Sequence, residues 1–96
     1  MDFLLSVAME TDRATGAREQ LDLLRVELAR RGWHADQCGT EQRPFLRVRN
    51  RADPELSDSV ACRGGVYCWS WGPAIGAVDD VSGTADRITH VLRVIL

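Results

Sequence analysis

The chain has 96 residues, of which 45% are hydrophobic, and a formal net charge of −2 from 12 basic and 14 acidic residues. This length fits one compact domain covering residues 1–96, and the hydrophobic fraction excludes a disordered chain. Every basic residue is an arginine, which is typical of a GC-rich genome, and the absence of net positive charge argues against nucleic-acid binding.

The first ten residues are apolar and carry no basic leader. Their apolar positions between Phe3 and Met9 fit both the alternation of a strand and one face of a helix, and we favour a short helix. The polar run from Thr11 to Gly16 then predicts a break. No signal peptide or membrane span is predicted, because no apolar run approaches the ~20 residues that a bilayer requires. We therefore expect a cytoplasmic protein that does not bind membranes.

Residues 17–31 have the spacing of an amphipathic helix. Thr15 is predicted to cap its start and Gly32 to end it in a left-handed turn. The predicted apolar stripe consists of Ala17, Leu21, Leu23, Leu24, Val26 and Leu28. The following residues, 33–44, have the composition of a polar connector.

Residues 45–50 alternate between apolar and charged side chains, which predicts the first strand. Leu46 and Val48 share one face of this strand. Arg47 and Arg49 share the other face, where they are available to solvent or a partner.

A β-hairpin is predicted around Gly64-Gly65, a pair of residues that suits a two-residue turn. This turn fixes the cross-strand pairs Arg63–Val66, Cys62–Tyr67, Ala61–Cys68 and Val60–Trp69. In this register Cys62 and Cys68 lie on opposite faces and cannot form a disulfide. A three-residue turn would place them diagonally on one face, so free thiols are expected either way, and the odd cysteine count agrees with a reducing compartment.

The chain after the hairpin is predicted to hold a short edge or extended segment and a second helix. Gly72-Pro73 ends the strand, and residues 74–78 form the extended segment. Ser82 is the expected helix cap. The predicted apolar stripe of the second helix consists of Ala85, Ile88, Leu92 and Ile95. The resulting fold class is α+β: a helix, a three-stranded antiparallel meander and a helix, with both helices on one sheet face.

The aromatic residues Tyr67, Trp69 and Trp71 alternate along the second hairpin strand. They could form a stacking platform, a ligand pocket between sheet and helices, or the centre of an interface. The alternative, which we favour, is that they cover the sheet beneath the helices, since each ring buries ~150–250 Å². The reverse face, with Arg47, Arg49 and Arg63, is then the face left for recognition.

Neither a metal site nor a catalytic site is predicted. Structural zinc ligands usually occur as two close pairs, whereas the candidate ligands are scattered. These candidates are His34, Cys38, Cys62, Cys68 and His90. Cysteine catalysis needs an activating base or positive charge, and although Arg63 adjoins Cys62, no histidine lies near it in sequence. We expect no cofactor and lean against an enzyme.

The C-terminal half resembles a group of short, uncharacterised actinobacterial proteins. The most specific part of the resemblance is the Trp-x-Trp-Gly pattern followed by Asp-Asp-Val. The matching pieces are Leu46-Arg47-Val48-Arg49-Asn50, Val60-Ala61-Cys62, Trp69-Ser70-Trp71-Gly72, Ile75 and Asp79-Asp80-Val81. The resemblance implies an accessory or regulatory product and no known reaction.

The leading hypothesis is a small non-catalytic protein-interaction domain, a regulatory or accessory partner that binds another protein or a second copy of itself. One alternative is a small-molecule-binding protein or enzyme with a pocket lined by Tyr67, Trp69 and Trp71. A weaker alternative is nucleic-acid binding through the sheet arginines Arg47, Arg49 and Arg63.

Overall fold

The computed structural model describes the backbone of residues 2–93 and the side chains of residues 16–93. Its elements in chain order are α1 (Asp2–Arg30), β1 (His34–Gly39), β2 (Pro44–Arg49), β3 (Ser57–Arg63), β4 (Val66–Trp69), β5 (Ala74–Ala77) and α2 (Val81–Leu92). The predicted α+β class is confirmed, but the antiparallel sheet has five strands instead of three. Neither described helix is long and apolar enough to cross a membrane.

The strands form a simple meander in which each one pairs only with its neighbours in sequence. The connector predicted for residues 33–44 is wrong, because β1 lies within it and pairs antiparallel with β2. Residues 74–77, predicted as a short edge or extended segment, pair with β4 as the fifth strand. A register shift between Tyr67 and Cys68 interrupts that last ladder.

The predicted hairpin register is confirmed at all four pairs between β3 and β4. Gly64 and Gly65 have φ angles of 58° and 80°, the left-handed conformation that a two-residue hairpin turn requires of both central residues. Cys62 and Cys68 therefore lie on opposite faces. The chain's three cysteines are free thiols.

Helix α1 runs without interruption from Asp2 to Arg30. The predicted break at residues 11–16 is wrong, and Thr15 lies inside the helix instead of capping it. That segment contains no proline, and its single glycine, Gly16, costs a helix only ~1 kcal/mol relative to alanine. Gly32 follows the helix with a φ of 82°, as predicted for its C-terminal turn.

Helix α2 is capped at both ends by side chains. Asp80, not Ser82, is the N-cap, and its Oδ1 accepts a 3.0 Å hydrogen bond from the Gly83 amide. At the other end the buried Asn50 donates a 2.7 Å hydrogen bond from Nδ2 to the carbonyl of Leu92. The loop between β2 and β3 thus fixes the end of α2.

Both helices contribute to one hydrophobic core on the same face of the sheet. The core consists of Leu21, Leu24, Leu28, Leu46, Val48, Val60, Tyr67, Trp69, Ile75, Ala85, Ile88 and Leu92. Of the predicted α2 stripe, Ile95 lies outside the described residues. Arg31, directly after α1, joins the helices because it donates a 2.9 Å hydrogen bond to Glu27 of α1 and another to Asp86 of α2. These two hydrogen bonds, of which the one that Arg31 donates to Asp86 has the larger effect, raise the pKa of Arg31.

Candidate functional site

The aromatic residues of the second hairpin strand divide between core and surface. Tyr67 and Trp69 are buried in the core, as favoured from the sequence, but Trp71 is 68% exposed, so its predicted place in the core is wrong. The alternation ends because β4 ends at Trp69, and a 2.9 Å hydrogen bond from the Gly72 amide to the Trp69 carbonyl closes a turn there. Trp71 stacks on Trp69 at 6.4 Å between centroids and donates its Nε1 hydrogen to Asp58.

The phenol of Tyr67 faces helix α1. Its hydroxyl donates a hydrogen bond to the backbone carbonyl of Gln20. Burial raises the pKa of Tyr67 to about 12, with a smaller contribution from the neighbouring Cys62. The phenol is therefore a structural donor that ties β4 to α1.

Cys62 does not have the environment of a catalytic thiol. Burial raises its pKa, and Cys68 adds to the shift, whereas a nucleophilic cysteine needs a lowered pKa. Arg63 is adjacent in sequence, but successive residues of a strand point to opposite faces. Within the described part of the chain, no group of three or more His, Cys, Asp or Glu side chains could hold a metal ion.

The candidate arginines lie on the sheet face opposite the helices, which we call the open face. Arg47, Arg49 and Arg63 are all exposed there. Arg49 pairs with Asp36 across the β1–β2 ladder at 2.9 Å. Arg47 and Arg63 make no ion pair with another described residue. Between the arginines the face is formed by small or half-buried side chains, namely Phe45, Ser59, Ala61 and Cys68.

A shallow groove of about 520 Å³ crosses the open face. Its lining combines apolar and cationic groups contributed by β3 and by the start of β2 with the loop before it. The lining residues are Gln42, Arg43, Pro44, Phe45, Ala61, Cys62, Arg63 and Ser70. Arg43 and Arg63 are its two charged residues, so the groove offers guanidinium groups beside apolar surface.

A second cavity, of about 480 Å³, lies between α1 and the hairpin tip. Most of the residues that line it have small side chains. The lining residues are Gly16, Ala17, Gln20, Cys62, Gly64, Gly65 and Val78. The aromatic trio proposed for a small-molecule pocket does not line this cavity. Tyr67 and Trp69 fill the core, and Trp71 lies at the opposite end of the hairpin from this cavity.

The structure also reveals candidate site residues that were not predicted from the sequence. Arg43 and Phe45 border the groove on the open face, and only the pairing of β2 with β3 brings them beside Arg63. Leu23 and Val26 belong to the apolar stripe predicted for this helix, yet they are 53% and 44% exposed on α1. Comparison of the chain with known protein families, with curated proteins and with solved structures finds no match.

Proposed function

We propose that this chain is a small, non-catalytic protein-interaction domain whose open face binds an acidic segment of a partner protein. The observation that carries the proposal is the groove lined by Arg43 and Arg63, with apolar surface at Phe45 and Ala61. An accessory or regulatory role is part of this proposal, as the resemblance inferred from the sequence of the C-terminal half implies.

Charge on the open face favours an acidic partner. The chain as a whole has a net charge of −2, but this face concentrates arginines, and Asp36 neutralises Arg49 alone among them. The guanidinium groups of Arg47 and Arg63 have no ion pair within the described residues. Arginine binds carboxylates through two parallel hydrogen bonds, which makes it suited to interfaces.

Features of the same face disfavour nucleic acid. Single-stranded nucleic acids bind through aromatic rings on which successive bases stack, and on the open face the described strands offer only the half-buried Phe45. The other sheet aromatics, Tyr67 and Trp69, are enclosed beneath the helices. A protein segment needs no stacking platform, since carboxylate and apolar contacts suffice.

The test is binding of a fluorescein-labelled peptide rich in glutamate with interspersed leucines, followed by fluorescence anisotropy. The intact chain should bind it, and the double variant Arg47→Glu/Arg63→Glu should bind at least about tenfold more weakly, a loss of ~1.4 kcal/mol or more. A peptide with glutamine in place of every glutamate should bind as weakly as the double variant does.

The matched control is Arg25→Glu/Arg93→Glu, which makes the same charge change on the helix side of the molecule and should leave peptide affinity within about threefold of the original. Equal losses in both double variants would mean a general charge effect and would refute the assignment of the site. Tighter binding of a single-stranded oligonucleotide than of the acidic peptide would favour the nucleic-acid alternative and overturn the proposal.

A further inference from the structure

The outer side of α1 carries an apolar pair that the core does not use. Leu21, Leu24 and Leu28 are fully buried against the sheet. Leu23 and Val26 point away from that face, and they are 53% and 44% exposed. They lie three residues apart, which places them side by side on a helix surface.

Opposite charges flank this pair symmetrically. Glu19 lies four residues before Leu23, and Arg30 lies four residues after Val26. All four fall on one side of the helix, because separations of three and four residues keep side chains on the same face. We call this set of four residues the α1 stripe.

The α1 stripe is complementary to itself in one arrangement. If two copies of α1 cross antiparallel about a two-fold axis between Leu23 and Val26, the Glu19 of each copy meets the Arg30 of the other. Each Leu23 then packs near the other copy's Val26. A patch whose two halves match across a two-fold axis is the requirement for a closed homodimer.

Arg30 is available for this contact. Its guanidinium approaches Glu27 at 3.2 Å within α1, yet its side chain stays 75% exposed. A guanidinium has five N–H donors, so one contact with Glu27 leaves donors for a second carboxylate. Glu19 is exposed and makes no ion pair with a described residue.

We propose that the α1 stripe is a homodimer interface in which two copies of the chain pair through antiparallel α1 helices. The contact spans about three helical turns from each copy, so the dimer is small and reversible, with a Kd in the micromolar range. The stripe lies on the far side of α1 from the sheet, so dimerisation leaves both open faces free and does not depend on the acidic partner proposed above.

Sedimentation-velocity ultracentrifugation across ~1 µM to ~1 mM protein tests the proposal. The intact chain should convert from monomer to dimer across this range. Glu19→Arg and Arg30→Glu should each stay monomeric, because each places like charges at both ends of the contact. Mixing these two variants should restore a dimer, since every charge pair across the mixed interface is again opposite.

Glu55→Arg is the matched control, because it makes the same charge change as Glu19→Arg at an exposed loop residue, and it should dimerise like the intact chain. The double variant Arg47→Glu/Arg63→Glu should also stay dimeric while it loses affinity for the acidic peptide. A monomeric intact chain at ~1 mM would overturn the proposal. A dimer that survives Glu19→Arg, or two variants that fail to pair when mixed, would overturn it as well.

Discussion

Replacing Gly76 with alanine is expected to destabilise the domain by about 3 kcal/mol. Gly76 lies in β5 directly beneath α2. An added Cβ would overlap the Oγ1 of Thr84 and lie 2.7 Å from the Nη1 of Arg87. Thr84 is fully buried and cannot move aside, so α2 must shift away from the sheet. Urea unfolding, with the midpoint and slope compared between variants, measures the loss.

Gly16→Ala provides the matched control, because a Cβ at this helical glycine would meet nothing within 4 Å. It should stabilise the domain by ~0.5–1 kcal/mol through helix propensity alone. In a double-mutant cycle, adding Thr84→Ala to Gly76→Ala should recover part of the loss, since the overlapped hydroxyl is then absent. Strictly additive effects, or a Gly76→Ala variant as stable as the original, would show that α2 does not pack closely on β5.

The single tyrosine of the chain should ionise at a pH far above the ordinary pKa of a tyrosine side chain. Burial raises the pKa of Tyr67 to about 12, against ~10 in an unfolded chain. Below pH 10 the phenol is protonated in both states, and its contribution to stability is complete. Between pH 10 and 12 the unfolded state releases the proton first, so the free energy of unfolding should fall by roughly 3 kcal/mol across that window.

The ultraviolet absorbance of tyrosinate follows this ionisation directly, because the chain holds one tyrosine. Tyr67→Phe is the matched variant for the unfolding measurements. It should be less stable near neutral pH by ~1 kcal/mol, since the Gln20 carbonyl loses its hydrogen bond. It should also lose less stability between pH 10 and 12 than the original chain does. A titration midpoint near pH 10 in the folded chain would contradict the buried position of the phenol.

The sequence predicted the features that depend on local alternation and turn chemistry. The hairpin register followed from Gly64-Gly65, and the two faces of β2 followed from alternation of Leu46 and Val48 with arginines. β1 was missed because His34–Gly39 contains no β-branched or aromatic residue. Its strand conformation comes from pairing with β2, a tertiary contact that no local sequence pattern predicts.

The candidate surfaces were predicted less completely, for three physical reasons. Helical spacing alone could not separate Leu23 and Val26 from the buried leucines, since only the position of the sheet decides which side of α1 is covered. Trp71 continues the alternation of β4, but that strand ends at Trp69, two residues before it. The open face was predicted with its three arginines, whereas the contribution of Arg43 to the groove depends on how β2 and β3 pair.

The sequential strand order has a consequence for how the domain assembles. Each strand meets its partner after a short loop, so the sheet forms through contacts between near neighbours in sequence, which favours rapid folding. Helix α1 differs from the strands, because its buried residues Leu21, Leu24 and Leu28 pack on strands that lie later in the sequence. Those strands are synthesised after the helix. On the ribosome its apolar side therefore stays uncovered until the strands that pack on it have emerged. If helix α1 docks last, stopped-flow refolding of the complete chain should show sheet formation and the burial of α1 as two separate kinetic phases.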